Sequence, residues 1–194
     1  MCYTKKEECD IVLTDIQEYK SRIKNVLIRK DEIDKKLAEY GALITREYEG
    51  KPLLVVSILK GAFVFLADLE RHIDIPFETG FMAAQSYYEG TDSSGEVTIT
   101  YDLTQDISRY HVLIAEDIID TGRTLKKIVE MLKERSPLSL KVITLLDKPS
   151  RRQVGFEADY TLFTIPDKFV IGYGLDCAEY FRNLPYIAEY DTKE

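Results

Sequence analysis

Between Val112 and Leu125 the chain reads Val-Leu-Ile-Ala-Glu-Asp-Ile-Ile-Asp-Thr-Gly-Arg-Thr-Leu. An apolar run of the buried-strand kind ends in two adjacent carboxylates, Glu116 and Asp117. It then passes a third, Asp120, and enters a helix through Thr121-Gly122-Arg123-Thr124. That turn has the chemistry of a phosphate cup. Gly122 lets backbone approach a ligand closely, amides at the helix N-terminus point outward, and two hydroxyls add donors. The helix macrodipole favours an anion further. The carboxylates beside it would repel a bare phosphate and need another task. They can accept hydrogen bonds from vicinal sugar hydroxyls, or hold a divalent cation that bridges to phosphate oxygens. Cup and diol clamp together describe a ribose 5-phosphate site. The plainer alternative is an acid-rich loop capping a helix, with Asp120 or Thr121 as N-cap.

The elements that must position these residues follow from hydrophobic periodicity. Two helix-period stretches open the chain, one from about Ile11 to Leu27 and one from Asp31 to about Tyr48. In the second, Ile33, Leu37, Tyr40, Ile44 and Tyr48 recur every three or four residues along one face. Leu53 to Leu59 is a short, almost unbroken apolar run, the pattern of a buried parallel strand. Lys60-Gly61 ends it, and Ala62 to His72 returns to helical spacing. A weaker strand runs from Phe77 to Ala84, followed by a polar loop, Ser86 to Glu96, and a strand from Val97 to Tyr101. Val112 to Ala115 is the next buried strand. Leu125, Ile128, Val129 and Leu132 mark an amphipathic helix behind it. Leu140–Leu146 and Tyr160–Ile165 are further strands, and Phe169–Tyr173 a short last one. Alternating strands and helices predict one α/β domain with a mostly parallel central sheet, its ligands at the carboxyl ends of the strands.

Composition bounds the function. With 194 residues, 26 Lys+Arg and 34 Asp+Glu, the net charge is −8, which argues against a general nucleic-acid binder. Cys2, Cys9 and Cys177 form neither a disulfide framework nor a zinc pattern. Cys177 reads as a small packed residue. Neither a signal peptide nor a membrane span is expected, since the longest apolar run is far too short for one. The expected location is the cytoplasm.

The Glu116–Thr124 segment resembles the phosphoribosyl-diphosphate (PRPP) signature of the type I phosphoribosyltransferases. From about Val26 to Ile187 the chain resembles the hypoxanthine-guanine branch of that family. The resemblance runs in order through Leu59-Lys60-Gly61-Ala62, Ser86-Tyr87, Glu116 to Thr124, Leu146-Asp147-Lys148-Pro149 and Ile165 to Val170. Gly172 to Asp176 and Glu179 to Pro185 complete it. It implies a phosphoribosyltransferase domain over 26–194, with an N-terminal helical extension over 1–25 and a small hood built from both terminal segments. The implied reaction moves the 5-phosphoribosyl group from PRPP to N9 of hypoxanthine or guanine, giving IMP or GMP and pyrophosphate.

The resemblance also implies roles. Asp120 is the general base near the purine N7. Glu116 and Asp117 hold the ribose hydroxyls, and Asp120, Thr121, Gly122, Arg123 and Thr124 wrap the 5-phosphate. Lys60 and Gly61 contact pyrophosphate, with the Lys60 peptide often cis in the family, and Arg182 is a second contact. Lys148, Phe169, Val170 and Asp176 form the purine site. Ser86 and Tyr87 belong to a lid. Mg²⁺ is the implied cofactor, with Glu116, Asp117 and Asp176 as its ligands, and a homodimer or homotetramer is the implied assembly. Taken alone, Lys60 reads as an exposed loop lysine, Arg182 as the partner of Glu179 in a surface ion pair, and Phe169 as core. Two rivals keep strand-end carboxylates: a PRPP-binding regulator without turnover, and a receiver-type signalling domain. Asp120, Lys148 and Asp176 together favour the enzyme over the first. The Thr-Gly-x-Thr cup fits phosphate binding better than a phosphoacceptor pocket.

Overall fold

The structure, a computed structural model, describes residues 20–86 and 97–192. Six strands form the main sheet: β2 (Leu53–Leu59), β3 (Glu78–Ser86), β4 (Val97–Tyr101), β5 (His111–Ile119), β6 (Ser139–Asp147) and β7 (Tyr160–Thr164). Their order is β4-β3-β2-β5-β6-β7, and every neighbouring pair is parallel except β3 with β4. Strands β2 and β5 lie in the middle of the sheet. Their side chains alternate between two cores. Leu53, Val55, Leu113 and Ala115 face helices α1 (Lys30–Glu47) and α2 (Phe63–Glu70). Leu54, Val56, Val112 and Ile114 face α3 (Arg123–Glu134). Burial on both faces is why these strands read as unbroken apolar runs rather than alternating ones.

Helix α1 starts where the Glu32 carboxylate accepts the Arg29 N–H at 2.9 Å, and it buries Ile33, Leu37, Gly41 and Ile44. Helix α3 buries the four residues its periodicity singled out, Leu125, Ile128, Val129 and Leu132. Neither histidine enters the site described below. His111 begins β5, where its Nδ1 lies 2.7 Å from the Ser139 hydroxyl, and a side chain on Gly41 would collide with His72. No helix among the described residues is long and apolar enough to cross a membrane.

One expectation fails. The helix read from Ile11 to Leu27 does not extend to its C-terminal end, because Ile23–Ile28 is a strand, β1. It pairs antiparallel with β9 (Ile187–Tyr190), which pairs antiparallel with β8 (Val170–Ile171). Local spacing could not reveal this, since the partner strand is remote in sequence and pairing with it overrides helical propensity. The small sheet β1-β9-β8 is the hood expected from the terminal segments, and β1 straddles the residue-25 boundary of the N-terminal extension.

Helix α1 is tied to the sheet at its C-terminal end. Glu47 accepts from Lys141 and from the Tyr160 hydroxyl, while Lys141 also donates to Tyr160 at 2.9 Å. Burial opposes the Glu47 charge. The bonds from Lys141 and Tyr160, with the charges of Lys141 and Lys51, still hold its carboxyl below the usual range. A carboxyl lowered in this way stabilises the fold above its unfolded pKa, and that contribution fades as pH falls through the folded value. Glu47→Gln is therefore expected to lower Tm by a few degrees at neutral pH, with the gap to the parent narrowing at acid pH, below the usual glutamate range. Calorimetric scans at the two pH values check this; an equal loss at both would count against an ionised Glu47.

Candidate active site

The parallel sheet delivers the ends of β2, β5 and β6 to one edge, and the candidate residues lie there. Strand β5 continues to Ile119, so Glu116 and Asp117 sit inside it rather than after it. Both are only 3% exposed. Burial pushes the Glu116 carboxyl up to about 7, and the neighbouring Asp117 charge works in the same direction. One oxygen of Asp117 accepts the Ile118 N–H at 2.8 Å. The N-cap of α3 is Gly122 at φ 78°, not Asp120 or Thr121, so neither side chain is consumed as the cap. A left-handed residue is needed to turn the strand end into the helix, and glycine adopts it without steric cost. Thr121 accepts from the Arg123 N–H at 3.4 Å inside the same turn.

Two arginines that the sequence reading passed over brace this turn. Arg151 Nε donates to Asp120 Oδ1 at 3.1 Å. Arg152 donates to the Asp120 carbonyl at 2.6 Å and to the Asp147 carboxylate. Both follow Lys148-Pro149-Ser150. Two adjacent arginines just past the end of a strand were the available signal.

The Leu59–Lys60 peptide bond is cis. Beyond it, Gly61 is held where no side chain fits, since a Cβ there would lie 1.6 Å from Asp117 Oδ2. From the other side, a Cβ on Gly174, at φ 98°, would lie 2.1 Å from the Gly61 carbonyl. The β2 loop, the β5 carboxylates and the 172–176 turn thus touch through glycine.

Lys60 and Arg182 enter one network. Lys60 Nζ lies 3.0 Å from Glu179, and Arg182 reaches Asp176 at 2.9 Å and Glu179 at 3.2 Å. Arg182 also donates to the Gly174 carbonyl at 2.8 Å, and Asp176 accepts the Glu179 N–H at 2.8 Å. The Lys60 hydrogen bond, assisted by Arg182, holds Glu179 below the usual carboxylate range against a burial effect. The surface-pair reading of Arg182 is thus half right: Glu179 is its partner, but the Arg182 side chain is only 18% exposed.

Lys148 follows β6 and is only 3% exposed, with its N–H on the Ile119 carbonyl at 3.0 Å. None of the described residues hydrogen-bonds or ion-pairs with its ammonium. An ammonium that no described side chain engages is free to donate to an acceptor brought by a ligand. Phe169 is half-buried, with its ring 6.3 Å from that of Tyr190 in the small hood cluster. Val170 is buried in the main core, which leaves only its backbone to meet a ligand, on the outer strand of the hood.

Ser86 closes β3 opposite Val97, and Tyr87 lies outside the described residues. Among the described residues no three acidic, His or Cys side chains gather as a metal site, so Asp176 does not join Glu116 and Asp117 in one cluster. Cys177 is buried, as a packed residue would be, and it is also disulfide-bonded.

An α/β sheet whose middle strand carries paired carboxylates near its carboxyl end, beside a glycine-turned helix N-terminus and under a small hood, can hold a sugar phosphate at that edge. The phosphoribosyl transferase domain model matches residues 23–178. The hypoxanthine-guanine phosphoribosyltransferase of Streptococcus pneumoniae is 54% identical over 165 residues, which cover 85% of this chain and 92% of that one. The Staphylococcus aureus enzyme of the same name is 50% identical over the same shares. A crystal structure of a hypoxanthine phosphoribosyltransferase from Staphylococcus aureus superposes with a TM-score of 0.86 at 46% identity. The match covers 93% of this chain and 97% of that one. The chain belongs to the phosphoribosyltransferase family, and its relatives place it in the hypoxanthine-guanine branch.

The glycine contact gives a direct test. Gly61→Ala is expected to destabilise the fold by about 1–3 kcal/mol through overpacking against Asp117. The double variant Gly61→Ala/Asp117→Ala should recover much of that loss. Denaturant unfolding of the single and double variants measures the coupling, and additive losses would show that the two residues do not compete for space.

Proposed function

We propose that the enzyme transfers the 5-phosphoribosyl group of PRPP to N9 of hypoxanthine or guanine, forming IMP or GMP and pyrophosphate in purine salvage. The observation that carries this reading is Lys148 at the carboxyl edge of the sheet, a nearly buried residue whose ammonium no described residue engages. It can donate to a purine O6, which is an acceptor in hypoxanthine and guanine, whereas adenine presents a donor there. Phe169 offers an aromatic face to the base, and the Val170 backbone reads its edge.

In this reading Glu116 and Asp117 accept from the ribose hydroxyls. Asp120, Thr121, Gly122, Arg123 and Thr124 hold the 5-phosphate at the N-terminus of α3, where helix amides favour an anion. Lys60, Gly61 and Arg182 receive the pyrophosphate. As it departs, positive charge develops at the anomeric carbon, and the carboxylates at the end of β5 stabilise that charge. Asp120 takes the purine proton at N7. Its Oδ1 is engaged by Arg151 and its Oδ2 has no partner among the described residues. Ser86 and Tyr87 belong to the lid that keeps water from the reacting centre.

Hard carboxylate oxygens at Glu116, Asp117 and Asp176 suit Mg²⁺, which commonly uses one or two carboxylates and completes its shell with phosphate oxygens and water. Bound with pyrophosphate, it would neutralise leaving-group charge. The same reading puts the enzyme in the cytoplasm as a homodimer or homotetramer without nucleic-acid partners, with the catalytic domain over 26–194 and the N-terminal extension before it.

A spectrophotometric assay with PRPP, Mg²⁺ and each purine in turn tests the proposal; no nucleotide from any 6-oxopurine would end it. Lys148→Met should lower kcat/KM for hypoxanthine by about tenfold to a hundredfold, the worth of a buried hydrogen bond to a charged donor. Asp120→Asn should lower turnover by about a hundredfold to ten-thousandfold, with PRPP affinity by calorimetry largely kept. Near-normal turnover would remove Asp120 as the base.

A further inference from the structure

Glu179 lies between the two cations assigned to pyrophosphate, yet the reaction described above gives it no task. Its carboxylate is 3.0 Å from Lys60 and 3.2 Å from Arg182, and both contacts come from its Oε2 atom. One anionic oxygen thus bridges an ammonium and a guanidinium that belong to distant parts of the chain. A phosphoryl oxygen would make the same pair of contacts.

The network divides into a sheltered half and an open half. Arg182 and Asp176 are 18% and 27% exposed, and Arg182 is further anchored on the Gly174 carbonyl. Lys60 and Glu179 are 66% and 62% exposed. Glu179 also holds its backbone at φ 73°, and its N–H is secured by Asp176 at 2.8 Å. The backbone is therefore pinned while the carboxylate stands at the surface, where moving it into water costs little.

We propose that Glu179 is a positioning residue that stands in for pyrophosphate. Its carboxylate draws Lys60 and Arg182 together in the unliganded site, and an incoming diphosphate displaces it. This rests on the reading of Lys60 and Arg182 as the pyrophosphate contacts. The charge count shows why such a residue is useful. Lys60, Arg182, Asp176 and Glu179 sum to zero, so the cations stay converged without net repulsion. Once Glu179 swings out, the remaining three groups carry a net positive charge toward the ligand. Because Glu179 competes for the same two cations, it weakens diphosphate binding by the fraction of time it occupies them, and so favours product release.

The test is pyrophosphate product inhibition of the full-length enzyme, alongside KM for PRPP and for hypoxanthine. Glu179→Gln should tighten the pyrophosphate inhibition constant by about threefold to tenfold, as expected on losing two exposed charge contacts that compete with the ligand. KM for PRPP should fall with it, while KM for hypoxanthine stays unchanged. Glu179→Asp keeps the charge and should return the inhibition constant toward the parent value. A thermal melt within a few degrees of the parent shows that the variants fold. An unchanged or weakened inhibition constant in folded Glu179→Gln overturns the proposal, because a merely structural residue would loosen the site. Lys60→Met and Arg182→Gln serve as the second arm, and both should weaken pyrophosphate. If neither does, the pyrophosphate assignment itself fails, and the stand-in role falls with it.

Discussion

The site depends on a space too small for a side chain. Gly61 presses against Asp117, Gly174 presses against Gly61, and a Cβ at either glycine would overlap the neighbouring atoms. Through this stack the loop after β2, the carboxylates of β5 and the turn after β8 occupy one small volume, although they are far apart in sequence. Steric exclusion fixes their separation more rigidly than a hydrogen bond would, because repulsion at such distances rises steeply while polar contacts tolerate several tenths of an ångström.

Around that stack the protein has solved an electrostatic problem. Its net charge is −8, and its site brings two carboxylates into almost complete burial. Desolvation is what raises Glu116, and hydroxyl donors from a sugar are a natural way to satisfy such a carboxylate without adding charge. The cations needed for anionic groups lie to either side. Arg151 and Arg152 brace the turn into α3 from the loop after β6, and Lys60 and Arg182 share Glu179. Lys148, by contrast, is nearly buried, and no described residue engages its ammonium.

Much of the fold was readable in local pattern. The limits of β2 and β4 agree with the strands read at 53–59 and 97–101, and α3 buries the four residues its spacing marked. Strand β1 was missed because its identity comes from pairing with β9, at the opposite end of the described chain. The site showed the same division. Glu116 to Thr124 is contiguous and could be recognised as one unit, whereas Arg151 reaches Asp120 across 31 positions and Glu179 reaches Lys60 across 119. Such partners leave no periodic trace, and each looks like an ordinary charged surface residue until the fold brings it to its counterpart.

By itself, then, the sequence determined the strand-turn-helix chemistry, the sheet that carries it and the family, because these arise from short-range spacing and from contiguous motifs. Tertiary structure alone decided which charges are satisfied and which wait for a ligand. It packed Lys148 so that no described residue engages its ammonium, paired Arg182 with both Asp176 and Glu179, and used the absence of a side chain at Gly61 to bring Asp117 up against the β2 loop. The physical reason is that burial, desolvation and steric exclusion belong to the surroundings of a residue, and those surroundings are assembled from parts of the chain that no local pattern connects.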